Sequence, residues 1–360
     1  MGTKRIALSP RSRVTLGLGV LVLVGVIASF RADRYWLRMT TYALNYAVVA
    51  MAWDLLLGYS GQVTFAAAAV WGVGGYTASV LAQRAGVDPW LAWPAAGIAG
   101  ALLGLILAVP ALRLRRIYLA LFTMSFGELL RLIAVNEDWL TKGPVGISLS
   151  KVHFTGLMGD AAGFQILTLA FLVVVYVALR ALTNSRVGLY LQAMRDDQEA
   201  AEARGIDTRR AKVLVFVVAS AVMGLAGGLF AFHNRYVSPD MLHLEYSLQF
   251  VVMSLFGGVG TLTGAIVGAL SITALMEVMR GWEYLRFVLL GIIVGVNVLL
   301  LPQGIVGAIT EFVHYRRSDA ALRARFGPAG RRPETGIAPD SGDEALIGPG
   351  GERRPPPGPG

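Results

Sequence analysis

The sequence predicts an all-α, polytopic membrane protein, and three observations carry that prediction. The 360 residues are 55% hydrophobic and only 15% charged, with a mean hydropathy of +0.59. Soluble domains carry about 25% charged residues. Apolar runs of about 17 to 25 residues recur from Val14 to Leu301, the length a helix needs to cross the hydrocarbon core. The net charge of +9 is concentrated: residues 4–13, 113–116, 186–212 and 316–360 hold 21 of the 32 Lys and Arg side chains. A basic excess confined to alternate loops is the positive-inside signature of membrane orientation, and it argues against a nucleic-acid partner.

Taken in order, ten spans are expected at about 14–30, 40–58, 62–82, 90–112, 117–135, 162–182, 212–232, 248–258, 262–280 and 285–301. The first follows Lys4, Arg5, Arg11 and Arg13 like a signal peptide. Its apolar run is longer than the usual signal core, and Ala28-Ser29-Phe30-Arg31 is a poor cleavage site, so an uncleaved anchor is expected. With residues 1–13 inside, this parity places all four basic stretches on the cytoplasmic side and both termini with them. Arg31, Arg34 and Arg38 dissent, because their loop falls outside. Residues 248–280 are too long for one crossing and short for two, and Gly257-Gly258-Val259-Gly260 suggests a break into two pieces. The membrane domain is set at 14–308. Residues 309–360, rich in Gly, Pro and charge, are too polar to offset their ordering entropy and are expected to form a disordered cytoplasmic tail.

Catalysis has little to stand on. The absence of cysteine excludes disulfides, Cys-ligated metals and thiol nucleophiles. There is no G-x-x-x-x-G-K-[ST] phosphate loop and no G-x-S-x-G elbow, and His153, His233, His243 and His314 stand singly. Charges within spans are costly unless paired or hydrated. Glu128 and Arg131, three residues apart, either pair on one helix face or line a polar path. Asp54 has no partner visible in the sequence. Gly72-Val73-Gly74-Gly75 and the glycines of 224–228 read as close-packing surfaces.

The long loop 183–212 is the most informative segment. Asp196 can cap a short helix with Glu199 in capping-box spacing, and Gly205 supplies a left-handed stop. That frames a helix of about 12 Å, with Ala200 and Ala201 as a flat surface among charged neighbours. Such a helix either docks in another protein's groove or is a solvated connector.

Glu199-Ala200-Ala201-x-x-x-Gly205 resembles the E-A-A-x-x-x-G signature of bacterial ABC importer permeases. Its flanks, Ser185-Arg186-Val187-Gly188, Ala193-Met194-Arg195-Asp196 and Lys212-Val213-Leu214-Val215-Phe216, are similar to those of branched-chain amino acid permeases. So are Gly224-Leu225-Ala226-Gly227-Gly228-Leu229, Leu55-Leu56-Leu57-Gly58-Tyr59-Ser60-Gly61-Gln62 and Leu140-Thr141-Lys142-Gly143-Pro144. Gly257-Gly258-Val259-Gly260-Thr261 and Leu301-Pro302-Gln303-Gly304 complete an ordered series over about 40–308. The chain most resembles the M-type permease subunits.

That resemblance implies an ABC importer permease fold in a bacterial inner membrane. Its implied partners are an H-type permease, two ABC ATPases that bind ATP and Mg, and an external solute-binding protein, with no cofactor in this chain. It further implies that Asp196, Glu199, Ala200, Ala201, Arg204 and Gly205 couple to an ATPase. Asp54, Gln62, Thr64 and Glu128 are candidates for the substrate path. Two departures bear on cargo: the family usually carries Asn at Asp54, and a Gly-His pair where this chain reads Thr64-Phe65-Ala66-Ala67-Ala68. Branched-chain amino acids are the expected cargo, with urea or short amides as the alternative. The reading from another class is a self-contained secondary transporter or channel, to which the 248–280 break would also suit. A membrane-embedded enzyme is a distant third.

Overall fold

The computed structural model describes residues 33–114, 116–149 and 161–281, with single positions at 288, 291, 292, 295 and 304. The expected spans 14–30 and 285–301 and the tail lie, wholly or in most of their residues, outside this described set. Ten helices longer than a single turn organise it: α1 (Arg34–Asp54), α2 (Ala67–Gln83), α3 (Pro89–Ala111), α4 (Arg116–Asn136), α5 (Ala161–Thr183), α6 (Arg186–Asp196), α7 (Gln198–Ala203), α8 (Thr208–Asn234), α9 (Leu244–Gly257) and α10 (Leu262–Val278). Of these, α3, α4, α5 and α8 are individually long and apolar enough to cross a membrane. A two-stranded antiparallel ribbon, β1 (Ile147–Ser148) with β2 (Tyr236–Val237), ties two loops together at one end.

The bundle is built around α8. In α3 the buried positions include Ala92, Ala96, Gly100, Gly104 and Ala108, one small residue every fourth position, while Leu91, Ile98, Leu102 and Ile106 remain exposed on the other side. Small residues at that spacing form a groove into which another backbone can settle, leaving the long side chains for lipid. The backbone that settles there is α8: a Cβ on Gly100 would lie 2.3 Å from the Ser220 carbonyl oxygen, and one on Gly104 2.5 Å from that of Phe216. On its other side α8 meets α2, where a Cβ on Gly74 would lie 2.2 Å from the Gly224 carbonyl oxygen. The glycine runs read from the sequence are packing surfaces. Polar side chains stitch the same layers. Asn45 of α1 donates to the Ala226 carbonyl at 2.9 Å and accepts from the Trp71 indole at 3.2 Å. Tyr46, Trp71, Phe230 and Phe250 fill the space between with ring centroids 4.6–6.1 Å apart.

Two expected spans are irregular, and the break expected in 248–280 is present. α1 runs on into a wide π-helical turn, Leu55–Tyr59. The span expected at 62–82 becomes helical only at Ala67; residues 61–66 form an extended stretch beside α1, with the Trp53 indole donating to the Thr64 carbonyl at 2.8 Å. The break lies between α9 and α10, which are bent by 116° at residues 258–261. The two pieces fold back on each other as a hairpin, the Gln249 side-chain amide donating to the Met276 sulfur at 3.2 Å. α10 then runs the length of α1, from the Asp54–Gly260 contact at one end to the Arg280–Tyr35 hydrogen bond at the other.

The basic loops 113–114 and 186–212 gather at one end of the bundle with residues 60–62, while the turns at the other end mix Asp88, Asp138 and Glu277 with Arg84, Lys142 and Arg280.

The tightest α8 contact is Gly227, whose added Cβ would lie 1.8 Å from the Trp71 carbonyl oxygen. Both sides are backbone, so neither can yield cheaply, and Gly227→Val should cost at least the ~1–3 kcal/mol of an overpacked core. Thermal unfolding in detergent should show a clear fall in Tm. Gly281→Ala, where the added methyl meets no described residue within 4 Å, should leave it unchanged.

Candidate functional site

The loop 183–212 folds into two helices. Ser185 caps α6 by accepting from the Val187 amide at 3.2 Å. The second helix, α7, is capped by Asp197, whose carboxylate accepts from the Ala200 amide at 3.1 Å. The sequence reading placed the cap one residue earlier. Asp196 instead closes the last turn of α6, because residues 186–196 already form a helix and the extended break falls on Asp197. The helix is thereby six residues long, about 9 Å in place of the expected ~12 Å. Its expected end holds: Gly205 has φ +81°, and the Ile206 amide reaches back to the Ala201 carbonyl at 3.1 Å, the closure of a Schellman stop.

The exposed surface of α7 also differs from expectation. Ala200 faces outward, but Ala201 is buried. Helical periodicity turns Ala203 and Arg204 to the side of Ala200, so the flat outward face is Ala200, Ala203 and Arg204. Gln198, Glu199 and Glu202 point instead into a cavity of about 700 Å³ between the loop, residues 60–62 and the end of α3. Glu202 accepts from the Thr208 hydroxyl at 2.5 Å and from the Gln198 amide at 2.9 Å. The Thr208 hydrogen bond, then that of Gln198, holds its carboxyl below the usual range. This tie is present at neutral pH and is lost as pH falls through that lowered value. Behind it, the nearly buried Lys212 ammonium donates to the Ala111 carbonyl at 3.2 Å, satisfying the free C-terminal end of α3.

The four candidate path residues do not converge. Only Gln62 lines the 700 Å³ cavity. Thr64 is buried beside Trp53, its hydroxyl accepting from the Ala66 amide at 3.3 Å. Glu128 pairs with Arg131 at 2.6 Å on a half-exposed face of α4. Asp54 is fully buried; its Oδ1 accepts from the Gly260 amide at 2.7 Å and the Ser254 hydroxyl at 3.2 Å, and its Oδ2 has no hydrogen-bond partner among the described residues. The partner unseen in the sequence lies about 200 residues away and is a backbone amide in a glycine turn. A second cavity, of about 520 Å³, opens at the opposite end among Tyr46, Asp240, His243, Glu245, Tyr246, Gln249 and Met276. Among the described residues no three His, Asp or Glu side chains converge where a metal could sit.

Residues 35–297 match the family described as the branched-chain amino acid transport system permease component. The chain belongs to this family. It is 27% identical over 315 residues to the high-affinity branched-chain amino acid transport system permease protein LivM of Escherichia coli K12, covering 81% of this chain and 74% of that protein. It is also 26% identical over 288 residues to the corresponding LivH permease of Salmonella typhimurium, covering 74% and 92%. A probable LivM of Methanocaldococcus jannaschii is 25% identical over 194 residues, or 52% of this chain. No solved structure matches. The protein is a multi-pass membrane permease, and family membership decides against the self-contained transporter that the helix breaks alone would allow.

The two adjacent carboxylates that misplaced the cap can be separated experimentally. Losing a helix cap costs about 1 kcal/mol, or roughly fivefold in local opening. Asp197→Ala should raise hydrogen exchange across residues 198–206 by about that factor, and Asp196→Ala should not.

Proposed function

We propose that this chain is the membrane-spanning permease subunit of an ATP-driven importer of branched-chain amino acids. It would work with an H-type permease as the second half of the path, two ABC ATPase subunits and an external solute-binding protein. The observation that carries the reading is the family match across residues 35–297, joined to a capped helix that displays small residues at the basic end of the bundle. Ala200 and Ala203 present little bulk, and Arg204 adds a charge at the rim. An ATPase groove could close on that face, while the acidic face toward Gln62 ties it to the spans. ATP and Mg would be held by the partner subunits. The basic end would be cytoplasmic, with both chain termini on that side in a bacterial inner membrane.

Ala200→Trp and Ala203→Trp should abolish leucine uptake and ATPase co-purification while leaving membrane insertion normal. Gln192→Ala, outside α7, is the control. Normal uptake with bound ATPase in both Trp variants would make α7 a plain connector. Uptake of labelled urea in place of leucine by the wild-type assembly would reassign the cargo.

The lack of native cysteines allows a clean topology test. A cysteine at exposed Glu199 should resist an impermeant thiol reagent in intact cells, and one at exposed Glu245 should react. The reverse pattern would invert the orientation.

A further inference from the structure

We propose that Arg195 and Asp54 form a transmission joint that carries movement of α7 into the α9–α10 hairpin. The inference rests on the importer reading and names residues outside the docking face. Arg195 lies in the last turn of α6, and only Asp197 separates that helix from α7. A displacement of α7 therefore moves Arg195. Its guanidinium does not extend toward solvent alone; Nη1 donates to the carbonyl of Gly58, 137 positions away in the chain.

Gly58 belongs to the π-helical turn that ends α1, a local widening that occurs frequently at functional sites. The turn has no slack. A Cβ on Gly58 would lie 2.4 Å from both Asp54 Oδ1 and the Gly260 amide nitrogen. One on Gly61 would lie 3.0 Å from Arg195 Cγ, and one on Gly260 3.3 Å from Arg195 Nη1. Backbone from two segments thus rests directly on these two side chains, without a flexible side chain between to absorb a push.

Asp54 supplies the grip on the hairpin. It holds the Gly260 amide at 2.7 Å and the Ser254 hydroxyl at 3.2 Å, the first inside the 116° reversal and the second in the limb before it. Those two donors would be satisfied equally by a neutral acceptor. The link to Arg195 is geometric: the Oδ1 that holds the Gly260 amide packs against Gly58, and the carbonyl of Gly58 is the acceptor for Arg195. The surface alternative is an Arg195 that serves only Asp196. That pair is 3.6 Å apart and exposed, a contact of little energy, and it would not place the guanidinium on Gly58.

The test uses the complete importer, with both permeases, ATPases and binding protein, in vesicles where leucine uptake and ATP hydrolysis are read together. Arg195→Ala should assemble with wild-type amounts of ATPase and continue to hydrolyse ATP. The leucine moved per ATP should fall about tenfold, the scale of one lost charge-assisted hydrogen bond. Arg195→Lys, with charge but no fork, should be intermediate. Asp54→Ala, which removes the acceptor shared by the Gly260 amide and the Ser254 hydroxyl, should show the same kind of loss, and the double variant should be no worse than the poorer single one, as expected of a coupled pair. If Arg195→Ala fails to insert, Ser254→Ala loosens the same grip from the hairpin side and should lower leucine per ATP. Wild-type leucine per ATP in these variants overturns the joint. So does a loss of bound ATPase that matches the loss of uptake, which would place Arg195 in the docking face. Wild-type vesicles that bind no ATPase would instead overturn the importer reading itself.

Discussion

The structure depends on how closely the backbone of α8 approaches α2 and α3. Helices surrounded by hydrocarbon gain little from burying apolar area against one another, since lipid is as apolar as leucine. What remains is contact at short range, and here glycines and alanines at four-residue spacing bring main chains together. That seam sets the depth of the three helices relative to one another. It therefore also sets where α1 can lie, because Asn45 reaches both Ala226 and Trp71 across it.

Given that seam, the irregular segments become tolerable. Non-helical backbone within a bilayer must find its hydrogen bonds in protein. Residues 61–66 do so through side chains from two other elements, Trp53 serving the Thr64 carbonyl and Thr123 the Phe65 amide, while Ser247 serves the Ala68 amide in the first turn of α2. The reversal at 258–261 is served by Asp54 and Thr261. Each break is thus closed by a residue distant in sequence, and each lies against α1 or its continuation.

Much of this was legible in the sequence, and the limits are physical. Hydropathy runs and charge spacing locate α1, α3, α4, α5 and α8 because each signal is local. The glycine runs announced close packing, since little else explains so many small residues in apolar segments. Asp196 and Asp197 are adjacent, chemically identical caps, and spacing alone could not choose between them; the decision was made by how far α6 continues. The outward face of α7 followed that one-residue shift. Asp54 could not be read at all, because its partners are a hydroxyl 200 positions away and a backbone amide, which has no letter in the sequence. Arg195 was visible only as part of a matching flank, with nothing to indicate that it bonds to a carbonyl.

The 116° reversal makes α10 a lever. Its pivot is the glycine turn held by Asp54, and its arm is 17 residues long, about 25 Å at the helical rise. A rotation of about 5° at the pivot sweeps the far end through roughly 2 Å over such an arm. At that far end Met276 forms part of the wall of the 520 Å³ cavity, against Gln249 of the other limb. Any tilt of α10 at the pivot would therefore be felt, at the other face of the bundle, as a change in the width of that opening.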